Sequence, residues 1–178
     1  YDWQSPIWQP WLNNFSRFHT LYRYDARGCG LSDREVDDFS IETLLSDIEV
    51  VVDAAGLDRF ALFGMSQGGG AAIWYAAHHP QRVSHLIVLG GFLQGPQSVP
   101  RDSAHHEEYE VRQRLFELAW ARNHPPYHHV FSTELLPDGT SEQVKWLTDL
   151  QRVSSTGENA VRLSEGYSHI DVLAEAPN

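Results

Sequence analysis

The chain has 178 residues, of which 42% are hydrophobic and 21% are charged, a balance typical of a globular domain with its own core. Its formal net charge of −11 disfavours nucleic acid or an anionic membrane as a partner, because their phosphate groups would be repelled. The single cysteine, Cys29, excludes an intrachain disulfide, and no apolar run reaches the ~20 residues that cross a bilayer. We therefore predict a cytoplasmic domain that binds neither nucleic acid nor membrane.

The first third of the chain alternates predicted helices with a predicted strand. Apolar spacing predicts a helix over residues 6–17, and the aromatic-rich segment 19–25 (HTLYRYD) predicts a strand. The glycine-broken turn ARGCGLSD follows that segment. Residues 40–56 have the periodicity of an amphipathic helix, with Ser40 as the expected N-cap and Gly56 as the expected stop.

Two apolar runs predict the centre of a sheet. Residues 59–64 (RFALFG) and 83–91 (VSHLIVLGG) are expected to be buried strands, and the small residues of 69–80 predict a helix between them. Strands that alternate with helices over short connections are typical of a parallel sheet with helices on both faces. The predicted fold class is therefore α/β.

The strand pattern is lost beyond this point. Residues 104–122 and 140–153 have helical patterns, separated by Pro-rich breaks such as NHPPYHH. We predict a helical insertion that lies over the sheet, after which the last stretch returns the chain to the sheet. The predicted domains are a core of residues 1–91 and 168–178 and a helical cap of residues 92–167.

The segment FGMSQGGG places one serine, Ser66, among glycines where a predicted strand passes into a helix. GMSQG matches G-x-S-x-G in the strand–turn–helix context that this motif requires. Such a turn strains the serine backbone, and Gly64 and Gly68 are expected where any Cβ would clash. Ser66 would be a nucleophile above a helix N-terminus, with the backbone N–H of Gln67 aimed at a developing oxyanion. The alternatives are a structural turn or a phosphate-binding turn, but the G-x-G start of a dinucleotide site is absent.

Three stretches together resemble the α/β-hydrolase fold family over nearly the whole chain. YDARGCGLSD is similar to the family's D-x-R-G-x-G-x-S turn, LLSDIEVVVDAAGLDRFALFGMSQGG to its helix, strand and elbow, and HHPQRVSHLIVLGG to the helix end and strand that follow. The resemblance implies a cap-bearing serine hydrolase with Ser66 as nucleophile and the Gln67 N–H as one oxyanion donor. A serine at this position argues against the haloalkane dehalogenase and epoxide hydrolase branches, which have an aspartate there.

The same resemblance implies that other parts of the site lie outside these residues. The family's second oxyanion donor is expected before Tyr1, and its catalytic acid and histidine are expected beyond Asn178. We therefore expect a fold that is incomplete at both ends. We also expect little or no hydrolysis by residues 1–178 alone, because serine is a poor nucleophile without a base in reach.

Other polar residues have simpler interpretations. Asp25 and Arg27 flank the first glycine turn, where we expect them to hold the turn rather than to line a substrate entrance. His124, His128 and His129 cluster, but two prolines argue against a helix that would align them, and no acidic ligand lies near. We predict no metal and no cofactor. The remaining histidines are expected at element ends or in the insertion: His19, His78, His79, His85, His105, His106 and His169.

The predicted function is hydrolysis of a small apolar carbonyl compound, an ester, thioester or lactone, through an acyl-enzyme on Ser66. Amide and C–C bond hydrolysis are left open. A ligand-sensing module that binds without turnover, within a regulatory or signalling protein, is the alternative from a different class. Large side chains of the insertion would pack against the sheet domain, a minority of them facing substrate: Phe92, Leu93, Trp120, Tyr127, Phe131 and Trp146.

Overall fold

The computed structural model describes residues 2–100 and 102–176, apart from the side chains of residues 103 and 104. Two compact units make up the chain: Tyr1–Glu35 with Glu110–Val161, and Val36–Tyr109 with Arg162–Asn178. Strands Phe60–Met65 (β1) and Val83–Leu89 (β2) pair in parallel. A short 3₁₀ helix at Asp2–Gln4 precedes the α-helices, which are Gln9–Ser16 (α1), Ile41–Ala54 (α2), Gly68–His78 (α3), Ser103–Ala121 (α4), Pro125–Leu135 (α5), Ser141–Ser154 (α6) and Gly157–Ser168 (α7).

Helix α2 begins and ends where the sequence predicts. Ser40 has extended backbone, and its hydroxyl accepts a hydrogen bond from the Thr43 N–H at 3.4 Å. Gly56 has a φ of +63°, a left-handed conformation that stops the helix at little steric cost because glycine has no Cβ.

One face of the sheet packs on the helices of its own unit. Phe60 and Leu62 of β1 lie against a buried cluster from α2 and α3. Hydrophobic burial of this kind stabilises by about 25 cal/mol per Å² of apolar surface. The members of the cluster are Leu45, Ile48, Val52, Ala71 and Tyr75.

The residues that alternate with these along the strands form the opposite face. Phe63 pairs with Ile87 and Met65 with Leu89 in the parallel register. All four side chains are apolar and 38 to 47% exposed. The helices of this unit therefore partly bury Phe60 and Leu62 of β1, and leave the four side chains of the opposite face in contact with solvent.

The prediction of a strand at residues 19–25 is wrong. Residues 20–26 have no regular structure, and Tyr22 and Tyr24 are about half exposed. A strand needs a neighbour to accept and donate its backbone hydrogen bonds. In the described ranges β1 and β2 pair only with each other, so this aromatic segment has no such neighbour.

The first glycine turn is held by its own unit. The Asp25 carboxylate accepts a hydrogen bond from the Leu31 N–H at 2.8 Å, as expected of a residue that holds the turn. Asn159, in α7, donates its side-chain amide to the carbonyl of Arg34 at 2.8 Å and also lies 3.4 Å from the Gly28 carbonyl. These contacts fix the turn against the start of α7.

The interpretation of NHPPYHH as a break between helices is also wrong, although the prolines do keep His124 out of the helix that contains His128. Pro125 and Pro126 occupy the first turn of α5, where a missing N–H costs no hydrogen bond, so His128 and His129 are helical. His124 precedes the helix with extended backbone. The prolines start this helix instead of breaking it.

The last described stretch does not join the sheet of β1 and β2, contrary to the prediction for residues 168–178. It lies antiparallel to residues 93–97, with the Gly95 N–H donating to Ile170 at 2.7 Å and the Val172 N–H to Leu93 at 2.8 Å. Ile170 and Val172 are 2% and 1% exposed. A short antiparallel bridge is enough to bury the alternate side chains Ile170 and Val172. An alternating apolar pattern therefore does not by itself require a strand of the main sheet.

Candidate active site

Ser66 lies directly after the last residue of β1, at the carboxyl end of the parallel pair, and α3 begins two residues later. Its φ is +52°, in the left-handed region that favours glycine, and the residue is exposed. In the part of the chain that the structure describes, Asn123 is the other non-glycine residue with positive φ. Ser66 therefore occupies the strained strand-to-helix turn that its sequence context predicts.

Backbone hydrogen bonds fix this turn on both sides. The Ser66 N–H donates to the Leu89 carbonyl at 2.9 Å, which extends the ladder between β1 and β2 by one bond. The Ser66 carbonyl accepts from the Gly69 N–H at 2.9 Å, which begins the first turn of α3. The left-handed conformation is thus imposed by the sheet and the helix.

Gln67 caps α3 with helical backbone (φ −57°), and its side chain makes no capping hydrogen bond. Its N–H has no hydrogen-bond acceptor within the described residues. The first N–H groups of a helix lack intrahelical acceptors and carry partial positive charge. This exposed turn therefore offers a donor beside the serine, suited to an oxygen that develops negative charge.

The glycines of the motif do not have equal roles. A Cβ on Gly64 would lie 2.6 Å from the Ala72 Cβ, so the strand approaches the helix too closely for a side chain. A Cβ on Gly68 would meet nothing within 4 Å, and the expectation of a clash there is wrong. Gly69 and Gly91 are crowded by each other. A Cβ on Gly69 would lie 2.7 Å from the Gly91 Cα, and a Cβ on Gly91 would lie 3.0 Å from the Gly69 Cα.

The contact between Gly69 and Gly91 was missed by sequence reasoning. The chain leaving β2 turns at Gly90, with φ +58°, and passes over the first turn of α3. A Cβ on Gly91 would lie 3.5 Å from the Ser66 carbonyl oxygen. The pair Gly90-Gly91 at the end of an apolar strand was the available signal, but its partner could not be identified without the register.

The antiparallel segments 93–97 and 168–172 also lead to the first turn of α3. A Cβ on Gly70 would be 3.0 Å from a methyl group of Ile170 and 3.4 Å from the Phe92 carbonyl oxygen. Phe92 begins the predicted insertion and Ile170 follows its end. Both therefore lie beside the first turn of α3, the turn that directly follows Ser66 in the sequence. Small residues in this turn allow that approach.

The histidines of this unit have local partners. The His78 ring stacks on Trp74 with centroids 3.7 Å apart, and the His79 ring stacks on Tyr75 at 4.4 Å. His105 lies 2.8 Å from the Asp102 carboxylate at the start of α4. Among residues 2–100 and 102–176, no three His, Cys, Asp or Glu side chains are grouped so as to hold a metal ion.

Comparison with known families and proteins gives a consistent fold. The sequence model of a family described as alpha/beta hydrolase fold matches residues 4–168. Epoxide hydrolase 3 of Xenopus tropicalis is 32% identical over 108 residues, 60% of this chain and 27% of that protein. A Caulobacter protein named as the carbamate hydrolase RutD is 33% identical over 97 residues, 53% of this chain and 36% of that protein. The chain therefore matches about a third of the length of these relatives.

Solved structures extend the likeness over nearly the whole chain. The enol-lactonase from Burkholderia xenovorans has a TM-score of 0.70 at 22% identity, covering 96% of this chain and 62% of that one. An esterase from Exiguobacterium antarcticum has a TM-score of 0.69 at 22% identity, covering 85% and 56%. Within the described ranges, none of the helices combines the length and apolarity needed to cross a membrane.

Proposed function

Since the chain belongs to the α/β-hydrolase fold family, as its sequence predicts, we propose that it carries the nucleophile of a serine hydrolase. The proposed nucleophile is Ser66. The observation that carries the proposal is the φ of +52° at an exposed serine between the end of β1 and the start of α3. A serine tolerates this backbone poorly, so its presence favours a chemical role.

In the proposed reaction the Ser66 Oγ attacks the carbonyl carbon of the substrate. Its proton passes to a histidine base and then to the departing alcohol or thiol. The Gln67 N–H stabilises the negative charge on the former carbonyl oxygen. Water then cleaves the acyl-enzyme, releasing the acid and restoring the serine.

The proposed substrate is a small apolar ester, thioester or lactone. Proteins named esterase, enol-lactonase and carbamate hydrolase share this fold or sequence, and each name denotes a carbonyl bonded to oxygen or nitrogen. The relative named epoxide hydrolase is an exception, since an epoxide has no carbonyl. The serine at position 66 favours the acyl chemistry, because an alkoxide attack on a carbonyl gives an ester that water readily cleaves.

The experiment is active-site labelling with a fluorophosphonate probe on the natural gene product that contains these residues. An activated hydroxyl in an oxyanion site attacks such phosphorus centres, so mass spectrometry should locate the adduct on Ser66. The Ser66→Ala variant should remain unlabelled. Ser46→Ala, the same change at an exposed serine on α2, should label like the wild type.

A folded protein that does not react would contradict the enzyme proposal and favour a module that binds without turnover. Hydrolysis of p-nitrophenyl esters by the same variants separates the two.

A further inference from the structure

His128 belongs to the unit of Tyr1–Glu35 and Glu110–Val161, called the helical unit below, and is buried without a hydrogen bond to either ring nitrogen. The residue is 1% exposed, and both nitrogens lack a partner of good geometry among the described groups. Its ring packs edge-on against Trp120 of α4, with centroids 4.3 Å apart. Phe131, 5.4 Å from Trp120, and Phe116, stacked on Trp120 at 3.9 Å, belong to the same aromatic cluster. An imidazole in this setting is compatible with the fold only when it is neutral.

A polar seam joins the same face of α5 to α6. The buried Ser132 hydroxyl lies 3.0 Å from the His128 carbonyl oxygen and 3.3 Å from the side-chain oxygen of Gln151. The buried Thr148 hydroxyl lies 2.9 Å from that of Ser132. Ser132 and Thr148 use their hydroxyl groups on one another and on backbone carbonyls. The Gln151 side chain and the Ala119 carbonyl favour a charged ring, but burial and the charge of Arg152 outweigh them, so the pKa of His128 is lowered.

The positive charge of Arg152 also disfavours a protonated His128 ring. Arg152 of α6 donates its Nε to the Asn123 side chain at 3.0 Å and lies 3.7 Å from Asp149. Among the described residues, Arg152 is the charged side chain that acts on the His128 ring. The contact from α4 is made by Trp120, which carries no charge. On α5 itself the nearby histidines, His124 and His129, are exposed.

A further charged pair lies on the far side of the aromatic cluster. Arg112 of α4 stands over the Phe131 ring at 5.5 Å and pairs with Glu134 at the end of α5. No acidic side chain among the described residues contributes to holding the His128 ring in its charged form.

We propose that His128 is an acid-sensitive switch in the helical unit. With a neutral ring, α5 packs on α4 and α6. A second proton would place an imidazolium beside Arg152 in an apolar cluster with no anion to pair it, and the packing of α5 would open. The proposal does not depend on chemistry at Ser66.

The direction of the pH dependence follows from burial. Removal of the ring from water lowers the pKa of His128 below its ordinary 6.5, and Arg152 lowers it further. The unfolded chain, with a pKa near 6.5, binds the proton more readily than the folded chain does. Stability is therefore intact above pH 6.5 and is lost as the pH falls below that value toward the lowered pKa.

The experiment is urea unfolding of the chain at several pH values, compared between the wild type and His128→Phe. From pH 6.5 to 5.5 the unfolding equilibrium constant of the wild type should rise more than that of the variant, by up to about fivefold if the folded ring stays neutral throughout. His129→Leu, a change at the adjacent exposed histidine, should behave like the wild type. Equal pH dependence in the wild type and His128→Phe would overturn the proposal.

A second measurement decides the question if His128→Phe fails to fold. Amide hydrogen exchange and histidine ring resonances of the wild type are followed by NMR across the same pH range. The proposal requires that protection of α5 amides falls together with protonation of His128. Protonation of His128 with unchanged protection of α5 would refute it.

Discussion

Alanine substitutions in the first turn of α3 should separate the crowded glycines from the open one. Gly69→Ala would place a Cβ 2.7 Å from the Gly91 Cα and 3.1 Å from a methyl group of Val88. The Gly91 Cα belongs to the backbone of the chain leaving β2, so this closest contact cannot be relieved by rotating a side chain. Gly68→Ala would place its Cβ in open space.

The two substitutions share their other effects. Gly68 and Gly69 both lie at the start of α3, and neither residue has a positive φ. Alanine stabilises a helix by ~0.5–1 kcal/mol relative to glycine, so both substitutions should gain a similar part of this free energy. The difference between them isolates the collision. Overpacking in a close-packed region costs about 1–3 kcal/mol, which corresponds to a difference in Tm of roughly 2–12 °C for a chain of this size.

The assay is thermal unfolding by circular dichroism for the wild type and both variants. We expect Gly68→Ala to match or exceed the wild type and Gly69→Ala to unfold at lower temperature. Gly91→Ala, with its Cβ 2.5 Å from the Val88 methyl group, should resemble Gly69→Ala. Equal melting temperatures for Gly68→Ala and Gly69→Ala would refute the assignment of the close contact.

Two further predictions concern stability elsewhere in the molecule. Asn159→Ala should lower the free energy of unfolding by about 0.5–1.5 kcal/mol in urea, since it removes the side-chain donor to the part-buried Arg34 carbonyl while the Gly28 carbonyl keeps the Ser155 hydroxyl, whereas the exposed Asn13→Ala should change little. Burial raises the pKa of the Tyr75 phenol to about 12, so stability should decline as the pH rises above 10 toward 12. Tyr75→Phe should reduce the loss of stability over this pH range, and an unchanged loss would contradict the assignment.

The elements that local sequence determines were predicted well. Helix α2 has its cap at Ser40 and its stop at Gly56, because both signals act within one turn of the backbone. The turn at Ser66 was also predicted, since a strand, a glycine-flanked serine and a run of small residues follow one another in the sequence.

The errors concern pairing between distant segments. Residues 19–25 have strand composition, but composition does not supply a neighbouring strand. Ile170 and Val172 alternate as strand residues do, yet they pair with the segment after β2. Gly68 and Gly69 are indistinguishable in the sequence, and only the crossing of Gly91 over the helix makes one of them crowded.

Ser66 itself offers a test of whether the fold needs the serine or tolerates it. Both of its backbone hydrogen bonds are made by the main chain, and its hydroxyl has no partner among the described residues. A left-handed backbone costs a residue with a Cβ about 1–2 kcal/mol, which glycine avoids at an entropic cost of roughly 0.5–1 kcal/mol.

Ser66→Gly should therefore raise the free energy of unfolding by up to about 1.5 kcal/mol, while Ser66→Ala, which keeps the Cβ and loses only the hydroxyl, should leave it unchanged. Urea unfolding of the three proteins measures both differences. If both variants were less stable than the wild type, the hydroxyl would have a structural role. If only Ser66→Gly were more stable, the chain would be retaining a serine at the expense of stability, as expected when the side chain is needed for chemistry.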